Sequence, residues 1–76
     1  MYTKITKIEE QNHKGQLFKI IFFEYNGVTK FNYASEKVIQ YWKKKLDDPT
    51  FEFKVGMEIN VFQSNYKNGY RIVGVK

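Results

Sequence analysis

The spacing of hydrophobic positions changes once along the chain, and this change separates one helix from the strands around it. From Ser35 to Leu46 the apolar side chains recur every three or four residues, which predicts an amphipathic helix. Asp47-Asp48-Pro49 then ends it, and Phe51–Phe53 is predicted as a short extended piece. Five other segments have the β-branched and aromatic composition of strands: Tyr2–Glu10, Gln16–Tyr25, Val28–Tyr33, Met57–Gln63 and Tyr70–Lys76.

The connections between these strands are short and polar. Asn26-Gly27 separates two β-rich runs, which predicts a two-residue hairpin turn with positive φ at both positions. Gln11–Gly15 is predicted as a polar turn and Ser64–Gly69 as a loop. Within the first strand Ile5 and Ile8 differ in parity, which predicts a β-bulge between them.

Three strands, one helix and two strands is the chain order of the oligonucleotide-binding (OB) fold, and the sequence resembles this fold along its whole length. The final segment, FKVGMEINVFQSNYKNGYRIVGVK, is similar to the way many OB-folds end: Val-Gly, polar residues, Ile-x-Val, a loop, then Gly-Tyr-x-Ile. The resemblance implies one all-β domain with a single helix over residues 1–76. It would be a five-stranded Greek-key barrel with the helix between strands 3 and 4. The alternative is an SH3-like barrel, which does not need a helix this long.

The predicted hairpin divides the side chains of strands 2 and 3 into two faces, because directly opposite residues share a face. One face holds Lys19, Ile21 with Asn32, Phe23 with Lys30, and Tyr25 with Val28. The other holds Phe18, Ile20 with Tyr33, Phe22 with Phe31, and Glu24 with Thr29. The second face is apolar through its middle, so we expect it to be the core. The first mixes rings with lysines, so we expect it to face a ligand.

Aromatic rings interleaved with lysines suit single-stranded nucleic acid, because rings stack on bases and ammonium groups neutralise phosphates. In the OB-fold the strand 2–3 face and two flanking loops bind ligand. The predicted nucleic-acid-binding residues are Lys19, Phe23, Tyr25, Lys30 and Asn32 on the face, and Lys14, Tyr66, Lys67 and Arg71 in or beside the loops. Three alternatives remain open: a one-residue register slip that swaps the faces, burial of Ile21 and Phe23 under a loop or a partner subunit, and loops that are merely solvated.

The composition favours a polyanionic partner. Thirteen basic and eight acidic residues give a net charge of +5 and a pI near 9.5, and aromatic residues make up 18% of the chain. Such a balance points to nucleic acid or an anionic membrane surface. No apolar run is long enough to span a membrane and the polar start is unlike a signal peptide, so we expect a cytoplasmic protein without a membrane partner. Twelve of the thirteen basic residues are Lys, as an AT-rich genome would encode, which suggests a low-GC bacterium, its phages or its plasmids.

Catalysis is not predicted. The chain has no Cys, a single His at position 13 and no Gly-rich phosphate loop, so we expect no enzyme activity, no metal and no cofactor. We expect Trp42 to lie in the core, Lys43–Lys45 to be a solvated helix end, and His13 to be an exposed loop residue.

Two function classes follow. The first is a sequence-tolerant single-stranded DNA-binding protein, a replication or recombination accessory of a phage or mobile element; RNA is the alternative ligand. It would act as a monomer or small homo-oligomer, with a replication protein as its protein partner. The second is a protein-interaction module, such as a replisome subunit or a phage inhibitor.

Overall fold

The computed structural model describes residues 1–64 and 69–76 of the chain. Over these residues five strands and one helix follow the predicted order. The elements are β1 (Tyr2–His13), β2 (Gln16–Tyr25), β3 (Val28–Ser35), α1 (Glu36–Lys45), β4 (Glu58–Gln63) and β5 (Tyr70–Val75).

The strands form one sheet in the order β3-β2-β1-β4-β5, and every neighbouring pair is antiparallel. The sheet curls into a half-barrel with α1 between β3 and β4 in the chain, which confirms the predicted fold class. Since β3 and β5 each run parallel to β1, these two edge strands are parallel to one another. The curl brings them close enough for the Asn32 side-chain amide to donate a hydrogen bond to the Tyr70 carbonyl oxygen. We call the gap between β3 and β5 the seam.

The predicted bulge is present in β1. Ile5 pairs with Phe23, whereas Lys7 pairs with Phe22, so one extra residue lies on the β1 side. The bulge returns both Ile5 and Ile8 to the core side of the sheet, which explains their difference in parity.

The β2–β3 hairpin has the predicted turn and register. Asn26 and Gly27 have φ values of 52° and 78°, and Tyr25 pairs with Val28. The β1–β2 connection differs from the prediction: Lys14 and Gly15 form a turn with the same φ values, and β1 continues to His13. The prediction of a five-residue turn was wrong because Gln11–His13, although polar, pair with β2 as a regular strand.

We expect Gly27→Ala to lower the free energy of unfolding by about 1 kcal/mol, because a Cβ makes positive φ unfavourable. An added Cβ would meet no atom within 4 Å, so the backbone conformation alone sets the cost. Urea denaturation measures the effect. Asn26→Gly is the control and should cost nothing, since glycine accepts the φ of that position; an unchanged midpoint for Gly27→Ala would contradict the turn.

The helix closes one side of the core. Ser35 is the N-cap, with its hydroxyl accepting from the Val38 amide at 3.5 Å, and Leu46 is the C-cap. Trp42 is 3% exposed, which confirms its place in the core. Phe51 and Phe53 are also buried but do not form a strand. No helix in the described residues is both long and apolar enough to cross a membrane.

The turn after α1 is held by its own side chains. The Thr50 hydroxyl and backbone amide both donate hydrogen bonds to the Asp48 carboxylate, at 2.7 and 3.0 Å. These two bonds lower the pKa of Asp48. The geometry agrees with the predicted end of the helix at this acidic pair.

The two faces of the β2–β3 hairpin are the reverse of the prediction. Ile21 and Phe23 are 0% exposed and belong to the core, whereas Phe31 and Tyr33 are 50% and 54% exposed; on the face of these two rings Ile20 is buried, as predicted. The register itself is the predicted one, so no slip is involved. The prediction was wrong because both faces of β2 are apolar, so the alternation of polar and apolar residues along β2 does not identify the core side.

Candidate nucleic-acid interface

Among the predicted site residues, Phe23 is part of the core and, at 0% exposure, has no free face for a base. Its ring packs edge-on against Tyr70, with 6.0 Å between centroids. Tyr25 is half-buried and packs on the same Tyr70 ring at 5.0 Å. The prediction that Phe23 is an exposed stacking residue was therefore wrong. Its ring stabilises the barrel beside the seam.

The side chains of Lys30 and Asn32 extend from the core side of β3 into the seam. Because β3 is an edge strand, these half-buried side chains reach the gap instead of the barrel centre. The Lys30 Nζ lies 5.6 Å from the centroid of the Tyr70 ring, a cation–π distance, and Asn32 holds the Tyr70 carbonyl oxygen. Two of the predicted residues are thus brought together at the seam, with Tyr70 as their shared contact.

Two surface depressions lie along the seam, and Asn32 lines both. The loop-side depression, about 650 Å³, is lined by Thr29, Lys30, Phe31, Asn32, Tyr33, Gly69 and Tyr70. The helix-side depression, about 300 Å³, is lined by Asn32, Ala34, Lys37, Val38, Tyr41, Trp42, Arg71 and Ile72. Since they share Asn32, the two depressions are neighbours along β3, and we call them together the seam groove.

The seam groove is basic. Lys30, Lys37 and Arg71 line it, and no carboxylate does so within the described part of the chain. The ion pair found among residues 1–64 and 69–76 joins Lys7 to Glu9 at 2.8 Å, away from this groove. Within the described residues none of the three groove cations forms an ion pair, so the groove favours a negatively charged ligand.

Exposed rings lie at the rim of the groove. Phe31 and Tyr33, which the sequence placed in the core, have centroids 5.5 Å apart and nearly perpendicular planes. Phe22 lies beside Phe31 at 6.2 Å, and Lys7 stands 5.6 Å over the Phe22 ring. We call Phe22, Phe31 and Tyr33 the outer aromatic cluster.

The other predicted residues lie outside this groove or outside the described residues. Lys19 lines a different depression, which Lys43 and three glutamates, Glu10, Glu36 and Glu52, also line. Lys14 is at the tip of the β1–β2 hairpin. Tyr66 and Lys67 lie outside the described residues. Among the predicted loop residues, Arg71 lines the groove.

Sequence reasoning placed Phe31 and Tyr33 in the core and did not assign Lys37, Tyr41 or Tyr70 to the candidate site. The sequence does contain a signal that identifies the face on which Phe31 and Tyr33 lie. If Lys14-Gly15 is treated as a two-residue turn, Ile21 falls opposite Ile8 and Phe22 opposite Lys7, as observed. That pairing marks the Ile21 side as the core. Lys37 and Tyr41 reach the groove through helix packing, and no local signal in the sequence indicates this.

Among the described residues no group of three or more His, Asp or Glu side chains is placed to hold a metal ion. Comparisons with family models, with curated proteins and with solved structures found no match. The chemistry of the seam groove and the outer aromatic cluster must therefore carry the functional argument.

Proposed function

We propose that this protein binds single-stranded nucleic acid along the seam groove, with little dependence on base sequence and with DNA as the favoured ligand. The observation that carries the proposal is the groove itself, which three cations and no carboxylate line among the described residues, with two exposed rings at its rim. A basic channel beside stacking platforms is the common arrangement of sequence-tolerant single-strand binders.

In the proposed binding mode the rings contact the bases of the nucleic acid and the cations contact its phosphates. Phe31 and Tyr33 are two residues apart on the same side of β3, so their rings are available to two successive bases. Lys30, Lys37 and Arg71 are on the groove side, where phosphates would follow the groove. Unpaired bases reach the rings, whereas bases stacked inside a duplex do not, and this favours single strands.

The weak dependence on base sequence follows from the parts of the nucleic acid that these side chains can contact. Stacking uses the π-face that every base has. The amide nitrogen of Asn32, a natural reader of base edges, already donates to the Tyr70 carbonyl oxygen. Lys30 and Lys37 act as point charges toward phosphate rather than as readers of a base edge. Little of the groove is therefore left for base discrimination.

The biological setting that we propose is replication or recombination of a phage or mobile element in the cytoplasm of a low-GC bacterium. It is supported by the predominance of Lys among basic residues and by the ligand class. A second function is favoured by one observation: the outer aromatic cluster is an exposed apolar patch of the kind that docks proteins. In that case a protein partner would cover Phe22, Phe31 and Tyr33.

Titration of labelled poly-dT, poly-U and duplex DNA at two salt concentrations tests the proposal. We expect poly-dT to bind tightest and duplex DNA weakest. Because three groove cations contact phosphates, the slope of log affinity against log salt should be about −2, from about 0.7 per contact. Lys30→Gln should reduce the magnitude of the slope by about 0.7.

Lys54→Gln is the matched control, because Lys54 is exposed and lines neither depression of the seam groove. It should leave the slope nearly unchanged. Absence of single-strand binding at low salt would reject the proposal. The protein-docking function would then be favoured, since apolar docking depends weakly on salt.

A further inference from the structure

The two ends of the seam groove differ in charge. Of its three cations, Lys30 is in the loop-side depression and already lies over the Tyr70 ring. Lys37 and Arg71 are both in the helix-side depression. Glu36, the neighbour of Lys37 in sequence, does not line the helix-side depression; it lines two others, one of which Lys37 also lines. The helix-side end therefore holds a local excess of two positive charges within the described residues.

The helix also limits the groove at this end. β3 ends at Ser35, and the same residue caps α1. Lys37, Val38 and Tyr41 of the helix then form one wall of the helix-side depression, and the buried Trp42 lies behind them. A strand that follows β3 in this direction meets the helix and must either turn away or end there.

The helix-side depression has the size and donors for one phosphate group. Its volume of about 300 Å³ is at the lower limit of small-molecule sites, so it suits a phosphate with part of its sugar better than a stacked oligonucleotide. Arg71 offers a planar fork of donors that matches phosphate oxygens, and Lys37 of α1 adds a second charge to the same depression. A phosphodiester carries one negative charge, whereas a phosphomonoester approaches two at neutral pH.

Building on the proposed function, we propose that the helix-side depression receives the terminal phosphate of a single strand, held between Lys37 and Arg71. The protein then binds a strand that ends in a phosphomonoester more tightly than the same strand ending in a hydroxyl. A free phosphate or a mononucleotide offers the same chemistry, but without the contacts of the following bases to Phe31 and Tyr33.

Three (dT)₈ oligomers test this inference with the full chain at one salt concentration: one with a 5′-phosphate, one with a 3′-phosphate and one with hydroxyls at both ends. We expect one phosphorylated oligomer to bind about 5- to 10-fold more tightly than the hydroxyl form, since exposed ion pairs contribute modestly. Arg71→Gln and Lys37→Gln should each reduce this ratio toward one. The control Lys54→Gln should preserve it.

The outcomes separate the two proposals. Binding of all three oligomers with equal affinity would overturn the terminal-phosphate inference and leave the proposed function standing. Failure of all three to bind would overturn both. Competition by inorganic phosphate or thymidine monophosphate at the same concentration as the phosphorylated oligomer would show that the depression takes a free phosphate, and this would also overturn the inference.

Discussion

Phe23→Ala is expected to remove most of the stability of this domain. The ring is 0% exposed, packs edge-on against Tyr70 and belongs to the core formed by both halves of the sheet. Truncation of a buried Phe leaves a cavity and costs about 3–5 kcal/mol. A domain of 76 residues has about 4–11 kcal/mol of stability in total. Urea denaturation followed by circular dichroism measures the loss.

Phe22→Ala is the matched control, since it removes the same ring one residue away on the opposite face of β2. The Phe22 side chain is half-buried, so its truncation should cost about 1–2 kcal/mol. If Phe23→Ala does not fold, Phe23→Leu should still show a loss of about 1–1.5 kcal/mol. Equal costs for the two alanine variants, or a larger cost for Phe22→Ala, would contradict the assignment of the core face.

Some features of the fold are determined by short stretches of sequence. The Asn26-Gly27 turn alone sets the β2–β3 register, because two residues with positive φ leave one way to pair the strands. The helix limits are also local, given by Ser35 as N-cap and the change of hydrophobic period. The parity of Ile5 and Ile8 reveals the bulge because both must reach the same core.

The core face of the hairpin is set by tertiary packing instead. Both faces of β2 are apolar, and polarity on β3 is misleading because β3 is an edge strand. Lys30 and Asn32 are on the core side, yet they reach the seam, where Lys30 lies over the Tyr70 ring and Asn32 donates a hydrogen bond to the Tyr70 carbonyl oxygen. An edge strand thus accommodates polar residues on its inner face, and a rule that assigns polar residues to solvent reverses the faces.

The composition of the site was predicted better than its location. Rings mixed with lysines on one face of β2 and β3 were recognised as a pattern suited to single strands, and Lys30, Asn32 and Arg71 lie in the seam groove. The rings at its rim belong to the other face, and Lys37 and Tyr41 come from the helix. The groove exists only because the sheet curls until β3 and β5 approach, which depends on pairings distant in sequence.

The double variant Phe31→Ala/Tyr33→Ala is expected to have the largest effect on single-strand binding with little effect on folding. Both rings are at least half exposed and lie at the rim of the groove. Loss of one stacking platform costs about 1–3 kcal/mol of binding free energy. Because the two rings contact one another, the double variant should lose less than the sum of the single variants. Titration of labelled poly-dT and thermal melts on the same samples measure both effects.

Tyr2→Ala provides the control, because Tyr2 is 58% exposed on β1, pairs with Asn60 and does not line the seam groove. It removes a comparable exposed ring and should bind poly-dT like the unmodified protein. The salt slope of the double variant should stay near that of the unmodified protein, since the groove cations remain and only stacking is lost. A double variant that binds poly-dT with unchanged affinity would remove stacking from the mechanism and leave the outer aromatic cluster to a protein partner.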